Sequence, residues 1–383
     1  MLVAHPSPDL YGSDRVMLNT VEALVSRRCR VVTTVPTDGP LVPAVEAVGT
    51  EVVLCRSPVL RKSALRPIGA LRLLAATVRS VAPGLRLLRT CRPDLVYVST
   101  ATVPLWLVLA RLTGRRSLCH LHEAESGVPM PLRRALALPL LLSSSIVANS
   151  EFSRDVFVSA LPRLRARFRT VPNPVPGPSD VTDARQELTG PVRVLYVGRL
   201  SPRKGPQLAI AAVNELRERG VDARLQLLGS VFPGYEWFEN ELRSIVARDR
   251  LADRVTFLGF RADPWPVIAD ADVVVVPSLA DEPFGNSAVE SVLGARPVIV
   301  SDAGGLREAV AGYASAQSVP PGDPAAIADA IEKLIANWPH YRAAAAADAG
   351  LAADRHAPAA YADRLEGLAR DVLPQTRKTC EGQ

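Results

Sequence analysis

The stretch DEPFGNSAVESVLGARPVIVSDAGG, residues 281 to 305, contains a loop, a helix start and a buried strand in succession. An apolar β-branched strand that closely follows a helix is typical of βαβ units and a parallel sheet. Such strand candidates recur along the chain: MLVAHP, CRVVTTV, EVVLC, DLVYVS, SLCHLH and SIVANS in the first half, then VRVLYVG, ARLQLLGS, RVTFLGF, ADVVVVPS and RPVIVS. The pattern predicts two doubly wound α/β domains. Ligands of such domains bind at the carboxyl ends of the strands, so we expect the site in a cleft between the domains.

A Pro-rich segment separates the two series of strands. Residues 171 to 192 hold five prolines and two glycines, which cannot continue a helix or a central strand. The chain has 383 residues, which is long for a single core. We therefore expect an N-terminal domain over residues 1–172, a linker over 173–190, a C-terminal domain over 191–356, and a helix and tail over 357–383 that can pack back on the first domain.

Charge and aromatic content argue against a nucleic-acid partner. The net charge is +6, but only four of the 45 basic residues are lysines, so arginine is the default cation of this chain. Aromatic residues make up 5% of the sequence, which leaves few rings to stack on bases.

Cysteine usage and the first residues indicate a cytoplasmic protein. The five cysteines are scattered, odd in number and without CxxC spacing, which predicts reduced thiols and no zinc site. The opening MLVAHPSPDLYG lacks a charged region followed by an apolar one, so no signal peptide is expected.

Two glutamates flank the helix start in the opening stretch. Ser287 and Glu290 have the spacing of a capping box, in which Glu290 would accept a hydrogen bond from a backbone amide. The helix start at Gly285, Asn286 and Ser287 could instead bind phosphate, because its amides and dipole are positive. A carboxylate one turn into that helix can bind the vicinal hydroxyls of a ribose, as acidic residues do in other nucleotide sites. From these residues alone, both roles of Glu290 stay open.

A second candidate loop, VGRLSPRKG, follows the first strand after the Pro-rich segment. Gly198 and Arg199 stand at the end of the strand, and Lys204 precedes the next helix. Two cations around a tight loop suit a diphosphate, although a solvated loop would also carry them. The sequence has no GxGxxG after a strand and no GxxxxGK[ST], which excludes the dinucleotide fingerprint and the P-loop.

Together these segments resemble the C-terminal half of retaining glycosyltransferases of family 4, which have the GT-B fold: two Rossmann-like domains facing each other across a cleft. The resemblance depends on five pieces in order: VGRLSPRKG, VTFLGF, ADVVVVPS, EPFGNSAVE with its E-x7-E spacing, and PVIVSDAGGLREAV. In the first half, YGSDRVMLN stands where a Gly-Gly-x-Glu loop is usual, with Tyr11 in place of the first glycine. LCHLHEAE, VANSEFSRD and VPNPV also resemble family segments, so the likeness covers most of residues 1–315.

The resemblance implies a retaining, metal-independent hexosyltransferase that uses no cofactor. Its N-terminal domain would hold the acceptor and its C-terminal domain the nucleotide-sugar donor. The enzyme would move a hexose-type sugar from a nucleoside-diphosphate sugar to a hydroxyl acceptor in glycan, glycolipid or envelope polysaccharide biosynthesis. A non-catalytic nucleotide-sugar binding module and another GT-B enzyme such as an epimerase are the alternatives.

The resemblance also implies roles for individual residues. Arg199 and Lys204 would stabilise the leaving diphosphate, helped by amides near the Gly304-Gly305 turn. Glu282 would orient the donor sugar, and Glu290 would bind ribose. The catalytic candidates are Glu282, His122, Arg199 and Lys204. The donor-binding candidates are Gly198, Arg199, Lys204, Gly285, Asn286, Ser287 and Glu290. The weaker acceptor-side candidates are Gly12, Ser13 and Asp14.

Two assignments within the site are less determined by the sequence. His120 and His122 lie on one face of a strand, and we choose His122 because it is nearest the loop. The aromatic insert with Tyr235, Trp237 and Phe238 either walls the nucleotide pocket or packs on a surface helix.

An Asp-x-Asp pair at Asp270 and Asp272 could in principle bind Mn²⁺ or Mg²⁺. It precedes the strand of ADVVVVPS, so it lies at the amino end of that strand, whereas ligands bind at the carboxyl end. We therefore expect no metal at this pair.

A basic stretch lies in the first half of the chain. Residues 52–93 hold nine Arg or Lys and no acid, with leucines between the cations at helical spacing. The pattern predicts a basic amphipathic surface over residues 56–92 that can lie on anionic lipid, at the inner face of the cell membrane, near a lipid-linked acceptor. An Arg-rich solvated helix face would give the same pattern.

Overall fold

The computed structural model describes residues 1–10, 12–60, 66–124 and 126–373. These divide into two compact units: Met1–Pro174 together with the chain from Pro358 onward, and Val175–Ala357. Predictions that concern Tyr11, Cys380 and the basic residues Arg61 and Lys62 lie outside the described residues.

Each unit contains one parallel sheet. In the described residues, the first sheet consists of β1 (Leu2–Ala4), β2 (Val32–Val35), β3 (Glu51–Leu54), β4 (Leu95–Val98), β5 (Arg116–Leu121), β6 (Ser145–Ala148) and β7 (Phe168–Thr170). The second consists of β8 (Val192–Val197), β9 (Ala223–Leu228), β10 (Val255–Gly259), β11 (Val273–Val276), β12 (Val298–Ser301) and β13 (Ala316–Val319). The prediction of two parallel α/β units is confirmed.

Helices connect the strands. Those of the first unit are α1 (Gly12–Ser26), α2 (Leu41–Ala47), α3 (Pro67–Cys91), α4 (Leu105–Leu112), α5 (Met130–Ala137) and α6 (Glu151–Ala160). Those of the second are α7 (Pro206–Glu218), α8 (Glu236–Arg248), α9 (Trp265–Asp270), α10 (Asn286–Leu293), α11 (Leu306–Ala309), α12 (Pro324–Ala336) and α13 (Trp338–His356). The last helix, α14 (Pro358–Val372), belongs to the first unit.

The strand order places a crevice in each unit. The first sheet runs β3-β2-β1-β4-β5-β6-β7 and the second runs β10-β9-β8-β11-β12-β13. The direction of winding reverses between β1 and β4, and again between β8 and β11. Ligands of doubly wound sheets bind at the carboxyl ends of the strands at such a reversal.

Both faces of the first sheet are covered by helices, because its strands are apolar on both sides. Leu2 and Ala4 pack in one cluster with α3 and α4, whereas Val3 packs with α1, α2 and α14 in the other. On α14, Tyr361 is buried and its hydroxyl lies 2.7 Å from the Thr20 hydroxyl on α1. The C-terminal helix is therefore part of the first unit's core.

The two strands that the sequence pattern did not reveal both lie at sheet edges. β7 has only three residues, FRT, and β13 reads AQSV, with one fully buried side chain in each. An edge strand pairs on one side only and can be short and polar. Neither segment carries the apolar run from which the other strands were predicted.

The second half of the Pro-rich segment is held on the second unit. Arg296 is buried and donates from its guanidinium to the carbonyl oxygens of Thr182 and Ala271, at 2.8 and 2.7 Å. Trp338 Nε1 donates to the carbonyl of Arg185 at 3.1 Å. The backbone here is irregular, and side chains of the α/β unit satisfy its carbonyl groups.

Asp272 has a structural role at the amino end of β11. Its two carboxylate oxygens each accept a hydrogen bond of 2.7 Å from the Arg185 guanidinium, and one also accepts from the backbone amide of Arg193. The side chain of Asp272 is 2% exposed, whereas that of Asp270, which pairs with Arg193, is 59% exposed. The two aspartates of this motif thus have different surroundings.

We expect Asp272→Asn to destabilise the protein by about 2–4 kcal/mol, because it leaves the partly buried Arg185 guanidinium without its counter-charge. The matched variant Asp270→Asn should cost no more than about 0.5 kcal/mol, because its ion pair is exposed. Chemical denaturation of the wild type and both variants measures the two costs. Equal losses would contradict the structural role of Asp272.

Candidate active site

Three loops meet at the carboxyl edge of the second sheet. The loop after β8 joins the loop after β11 through a 2.9 Å hydrogen bond from the amide of Leu279 to the carbonyl of Arg203. The loop after β12 joins it through a single parallel bridge between Glu282 and Gly304 and a 2.7 Å bond from the amide of Gly305 to the carbonyl of Glu282. Lys204, Glu282 and the Gly304-Gly305 turn, which were predicted separately, therefore lie at one place.

The carboxylate of Glu282 is buried in this edge. Its residue is 4% exposed, and its Oε2 lies 2.7 Å from Lys204 Nζ. Its Oε1 accepts a 3.0 Å hydrogen bond from the Ser278 hydroxyl and lies 3.6 Å from an Arg203 guanidinium nitrogen. A buried carboxylate is stable only when it is paired and hydrogen-bonded, and this one is both.

Glycines allow the loops to approach each other closely. Gly205 has φ +72°, and a Cβ at this position would lie 1.9 Å from the carbonyl oxygen of Pro277 in the loop after β11. A Cβ at Gly305 would lie 2.4 Å from the carbonyl oxygen of Pro283. Any side chain at either position would push the loops apart. Gly205 therefore fixes the position of Lys204, the residue before it, relative to Glu282.

Helix α10 begins in this loop cluster, and its cap differs from the capping-box prediction. Its N-cap is Gly285, with φ +118°, a residue that has no side chain with which to cap the helix. Ser287 is already the second helical residue, so the spacing of Ser287 and Glu290 does not coincide with the cap. The capping-box interpretation of Glu290 is wrong, because the chain turns at the glycine. Glu290 lies half-buried, about one turn into the helix.

Arg199 lies at the carboxyl end of β8 beside an aromatic ring. Its guanidinium carbon is 3.3 Å from the centroid of the Phe232 ring, and its carbonyl accepts a 2.7 Å hydrogen bond from the Tyr196 hydroxyl. Stacking of this kind holds a guanidinium plane in a defined orientation. Phe232 belongs to the aromatic insert after β9, and its ring contacts the predicted site residue Arg199.

The three aromatic residues that the sequence singled out in the insert lie elsewhere. Tyr235 and Trp237 are 48% and 54% exposed, and Phe238 is buried in the core of the second unit. The sequence analysis also missed Ser278 and Arg203, which face Glu282. Both residues lie in the predicted loops, but their positions in the sequence do not indicate that they contact Glu282.

The first unit has a buried polar cluster at the carboxyl edge of its own sheet. His5 follows β1, and its Nε2 lies 2.8 Å from a carboxylate oxygen of Asp14 in the first turn of α1. Its Nδ1 lies 2.6 Å from the hydroxyl of Ser99, which follows β4. All three residues are buried, whereas Gly12 and Ser13 are exposed at the start of α1. His5 was missed, although VAHP places it visibly at a strand end.

The two histidines of β5 and its loop have different surroundings. His120 is fully buried, its Nδ1 hydrogen-bonds to the Tyr97 hydroxyl, and its ring stacks near Tyr361. His122 lies just beyond the strand, with its ring centroid 4.1 Å from that of His120. Neither ring nitrogen of His122 has a hydrogen-bond partner among the described residues. The structure thus places His120 in the core and His122 just beyond the carboxyl end of β5.

His122 is held in its neutral form. Burial is the main cause, and the nearby His5 adds to it, so that the pKa of His122 falls to about 3 even though Asp14 acts in the opposite direction. A neutral imidazole can both donate and accept a hydrogen bond. This edge therefore presents a neutral donor–acceptor group beside the His5–Asp14 pair.

Family models match both halves of the chain. The model described as "Glycosyl transferases group 1" matches residues 191–337, and the model described as "Glycosyltransferase Family 4" matches residues 11–177.

Curated relatives agree with these matches. The 2-deoxystreptamine N-acetyl-D-glucosaminyltransferase of Streptomyces fradiae is 31% identical over 302 residues, which is 72% of this chain and 69% of the relative. The D-inositol 3-phosphate glycosyltransferase of Nocardia farcinica is 31% identical over 266 residues, 64% of this chain and 56% of the relative. The chain belongs to glycosyltransferase family 4. It spans about half of the length of the first curated relatives that it matches.

Solved structures show the same fold. HepE of Anabaena, solved in complex with UDP, superposes with a TM-score of 0.81 at 24% identity, covering 97% of this chain and 99% of that one. Its complex with UDP-glucose gives a TM-score of 0.80 at the same identity and coverage. The fold is therefore GT-B, with two Rossmann-like units, as the sequence predicted.

The neutral state of His122 predicts a pH effect on stability. The pKa of His122 in the folded protein lies below its ordinary value of about 6.5. As the pH falls below about 6.5, this histidine therefore takes up a proton in the unfolded chain before it does so in the folded protein. The free energy of unfolding decreases as a result. Between pH 7 and pH 5, the wild type should lose about 1–2 kcal/mol more than His122→Gln. Urea unfolding at both pH values tests this.

The exposed His340 provides the matched control for that experiment. His340→Gln should keep the wild-type difference between pH 7 and pH 5, because it leaves the buried cluster intact. If His122→Gln behaves like His340→Gln, the neutral buried state of His122 is wrong.

Proposed function

We propose that this protein is a glycosyltransferase that moves a hexose-type sugar from a nucleoside-diphosphate sugar to a hydroxyl acceptor. The observation that supports this best is the cluster at the carboxyl edge of the second sheet. There the buried Glu282, paired with Lys204, precedes a helix whose N-cap is Gly285, and Glu290 lies half-buried about one turn further. A cation, a helix N-terminus and a carboxylate together match a phosphate and a ribose.

The donor's diphosphate would be bound by the cations and the helix start. Lys204 is an ammonium with a side chain 25% exposed, so it can face a ligand while it pairs with Glu282. Arg199 offers a guanidinium oriented by Phe232, and Arg203 lies beside Glu282. Gly285, Asn286 and Ser287 would supply backbone amides around the phosphates. Gly198 would not supply its own, because that amide donates to the carbonyl of Leu228 at 3.0 Å. HepE was solved with UDP and with UDP-glucose, so UDP is the first nucleotide to test.

The chemical step would be a retaining transfer. The bond from the anomeric carbon to the β-phosphate oxygen breaks, and the acceptor oxygen bonds to that carbon on the same face. The acceptor proton passes to an oxygen of the leaving phosphate. Charge develops on that phosphate, so the nearby cations stabilise the transition state more than the ground state.

Glu282 would help to orient the donor sugar by holding Lys204 and the loop before α10 in place, and it would not act as the nucleophile. Glycosidases that retain configuration through a covalent intermediate use a carboxylate that can reach the anomeric carbon. Both oxygens of Glu282 already have partners, one in Lys204 and the other in Ser278, and the residue is 4% exposed. Same-face attack needs no displacement of these partners.

The acceptor would bind at the edge of the first sheet. His122, neutral and with both ring nitrogens unpartnered among the described residues, can hydrogen-bond to a hydroxyl of the acceptor. Gly12 and Ser13 are exposed at the start of α1, and Asp14 is fixed by His5. We infer that the acceptor is a hydroxyl compound of glycan, glycolipid or envelope polysaccharide biosynthesis, of which a lipid-linked one is an example.

The reaction would need neither a metal nor a cofactor. Lys204, Arg199 and Arg203 can neutralise the charge of the leaving phosphate, as a divalent cation would. The two carboxylates of the Asp-x-Asp pair form ion pairs with Arg185 and Arg193. Activity should therefore persist in EDTA.

Calorimetric titration of UDP, GDP, dTDP and ADP in EDTA tests the donor site. We expect one nucleotide to bind the wild type, and Glu290→Ala to weaken that binding about 10- to 100-fold, because a charged acceptor of ribose hydroxyls is lost. The melting temperature should change little, since the N-cap of α10 is Gly285 and Ser287 and Glu290 do not form a capping box. Glu241→Ala, at an exposed position of α8, is the matched control and should bind as the wild type does.

Three results would count against this proposal. If no nucleotide binds, or if Glu290→Ala loses affinity only as far as it unfolds, the donor site is not where we place it. If the nucleotide-sugar binds but no nucleotide is released with any hydroxyl acceptor, the chain is a binding module. If the product's anomeric proton, read by NMR, shows inversion relative to the donor, the same-face mechanism is wrong.

A further inference from the structure

Helix α3 carries an apolar surface that none of the described residues of its unit covers. Ile68, Leu71, Leu74 and Val78 are 67%, 67%, 61% and 66% exposed. Their spacings of three, three and four residues put them on one face of the helix. Single exposed aliphatic residues are ordinary, but four on consecutive turns form a continuous patch, which marks an interaction site. We call these four residues the α3 apolar face.

The opposite face of the same helix anchors it to the first unit. Ser80, Gly84, Leu87 and Leu88, all in the second half of α3, are buried. Gly84 is in close contact with α4, where a Cβ would lie 2.5 Å from a methyl group of Leu109. The second half of the helix is therefore packed, and the α3 apolar face lies on the side that the packing does not use.

By length and composition, α3 would suffice to cross a membrane, but its surroundings favour a position on the surface. It has 25 residues with a mean hydropathy of 1.2 in its most apolar window, of which only 11% is buried. A core helix would be mostly buried. A spanning helix would not pack half of its length on another helix of an α/β unit, as α3 packs on α4. It would also not carry Arg72 and Arg79 beside its apolar residues. Basic residues along an apolar face are typical of interfacial helices.

Charge distinguishes the occupants that this face could have. Residues 52–93 contain nine basic residues and no acidic one, and Arg72 and Arg79 are exposed next to the α3 apolar face. A second copy of the chain would bring the same positive charge to the contact and be repelled. Residues 374–383, PQTRKTCEGQ, have a net positive charge and no large aliphatic side chain. An anionic lipid surface complements both the charge and the apolar side chains.

We propose that the α3 apolar face, together with Arg72 and Arg79, docks this protein on an anionic lipid bilayer. The aliphatic side chains enter the boundary between headgroups and acyl chains, and the guanidinium groups bind lipid phosphates. The docking does not depend on the proposed glycosyl transfer, because it concerns a different surface and can be measured without donor or acceptor.

Co-sedimentation of the full chain with vesicles tests this proposal. The vesicles contain phosphatidylcholine alone or with 30% phosphatidylglycerol, at low and at moderate salt. Wild type should bind the anionic vesicles at least about tenfold more strongly than the neutral ones, and salt should weaken the binding. Leu71→Gln/Leu74→Gln and Arg72→Gln/Arg79→Gln should each reduce binding about tenfold or more.

The matched control replaces exposed leucines elsewhere. Leu112 and Leu351 are 72% and 56% exposed, and Leu112→Gln/Leu351→Gln should bind vesicles as the wild type does. Melting temperature and nucleotide affinity, measured for every variant, separate loss of docking from loss of folding and from failure of the donor site.

The proposal is overturned if wild type does not sediment with anionic vesicles, or if it binds neutral ones equally well. It is also overturned if the control loses binding as much as the α3 variants do. If analytical ultracentrifugation shows an oligomer that Leu71→Gln/Leu74→Gln dissociates, the face is an interface between copies of this chain instead.

Discussion

A buried carboxylate among three loops is the constraint on which the second unit's candidate site depends. Glu282 can remain at 4% exposure because Lys204 neutralises it and Ser278 satisfies its second oxygen. Its backbone also bonds the loop after β12. Loss of the pairing would leave an uncompensated charge in the edge of the sheet. The positions of the cations and of the α10 N-terminus relative to one another therefore follow from this ion pair and from the close loop contact at Gly205.

The sequence predicts most of this fold because its central strands are apolar on both faces. β8, β11 and β12 are short β-branched runs, as strands of a covered parallel sheet must be. β13 reads AQSV and is paired on one side only, so its sequence has no such signal. The same limit applies to the contacts in the site. Lys204 and Glu282 are 78 residues apart, and only the strand order, with β8 beside β11, brings their loops together.

The first unit shows why side-chain roles are harder to predict than strand positions. His122 and Asp14 were chosen as separate candidates, and the structure places both close to His5, which the sequence analysis missed. His5 bonds to Ser99 because β1 lies next to β4. Asp14 is nine residues from His5, but Ser99 is 94 residues away, so only the strand order brings the hydroxyl to the histidine. The capping box at Ser287 failed for a more local reason: the glycine before the helix took the cap position.

A double-mutant cycle on Lys204 and Glu282 tests the central claim most directly. Unfolding free energy and nucleotide affinity would be measured for Lys204→Met, Glu282→Gln and the combined variant. If the buried pair organises this edge, each single variant should lose about 2–4 kcal/mol of stability, and the double variant should lose at least about 1 kcal/mol less than the sum. Both singles should also weaken nucleotide binding. Additive losses, or unchanged nucleotide affinity in both singles, would contradict the account.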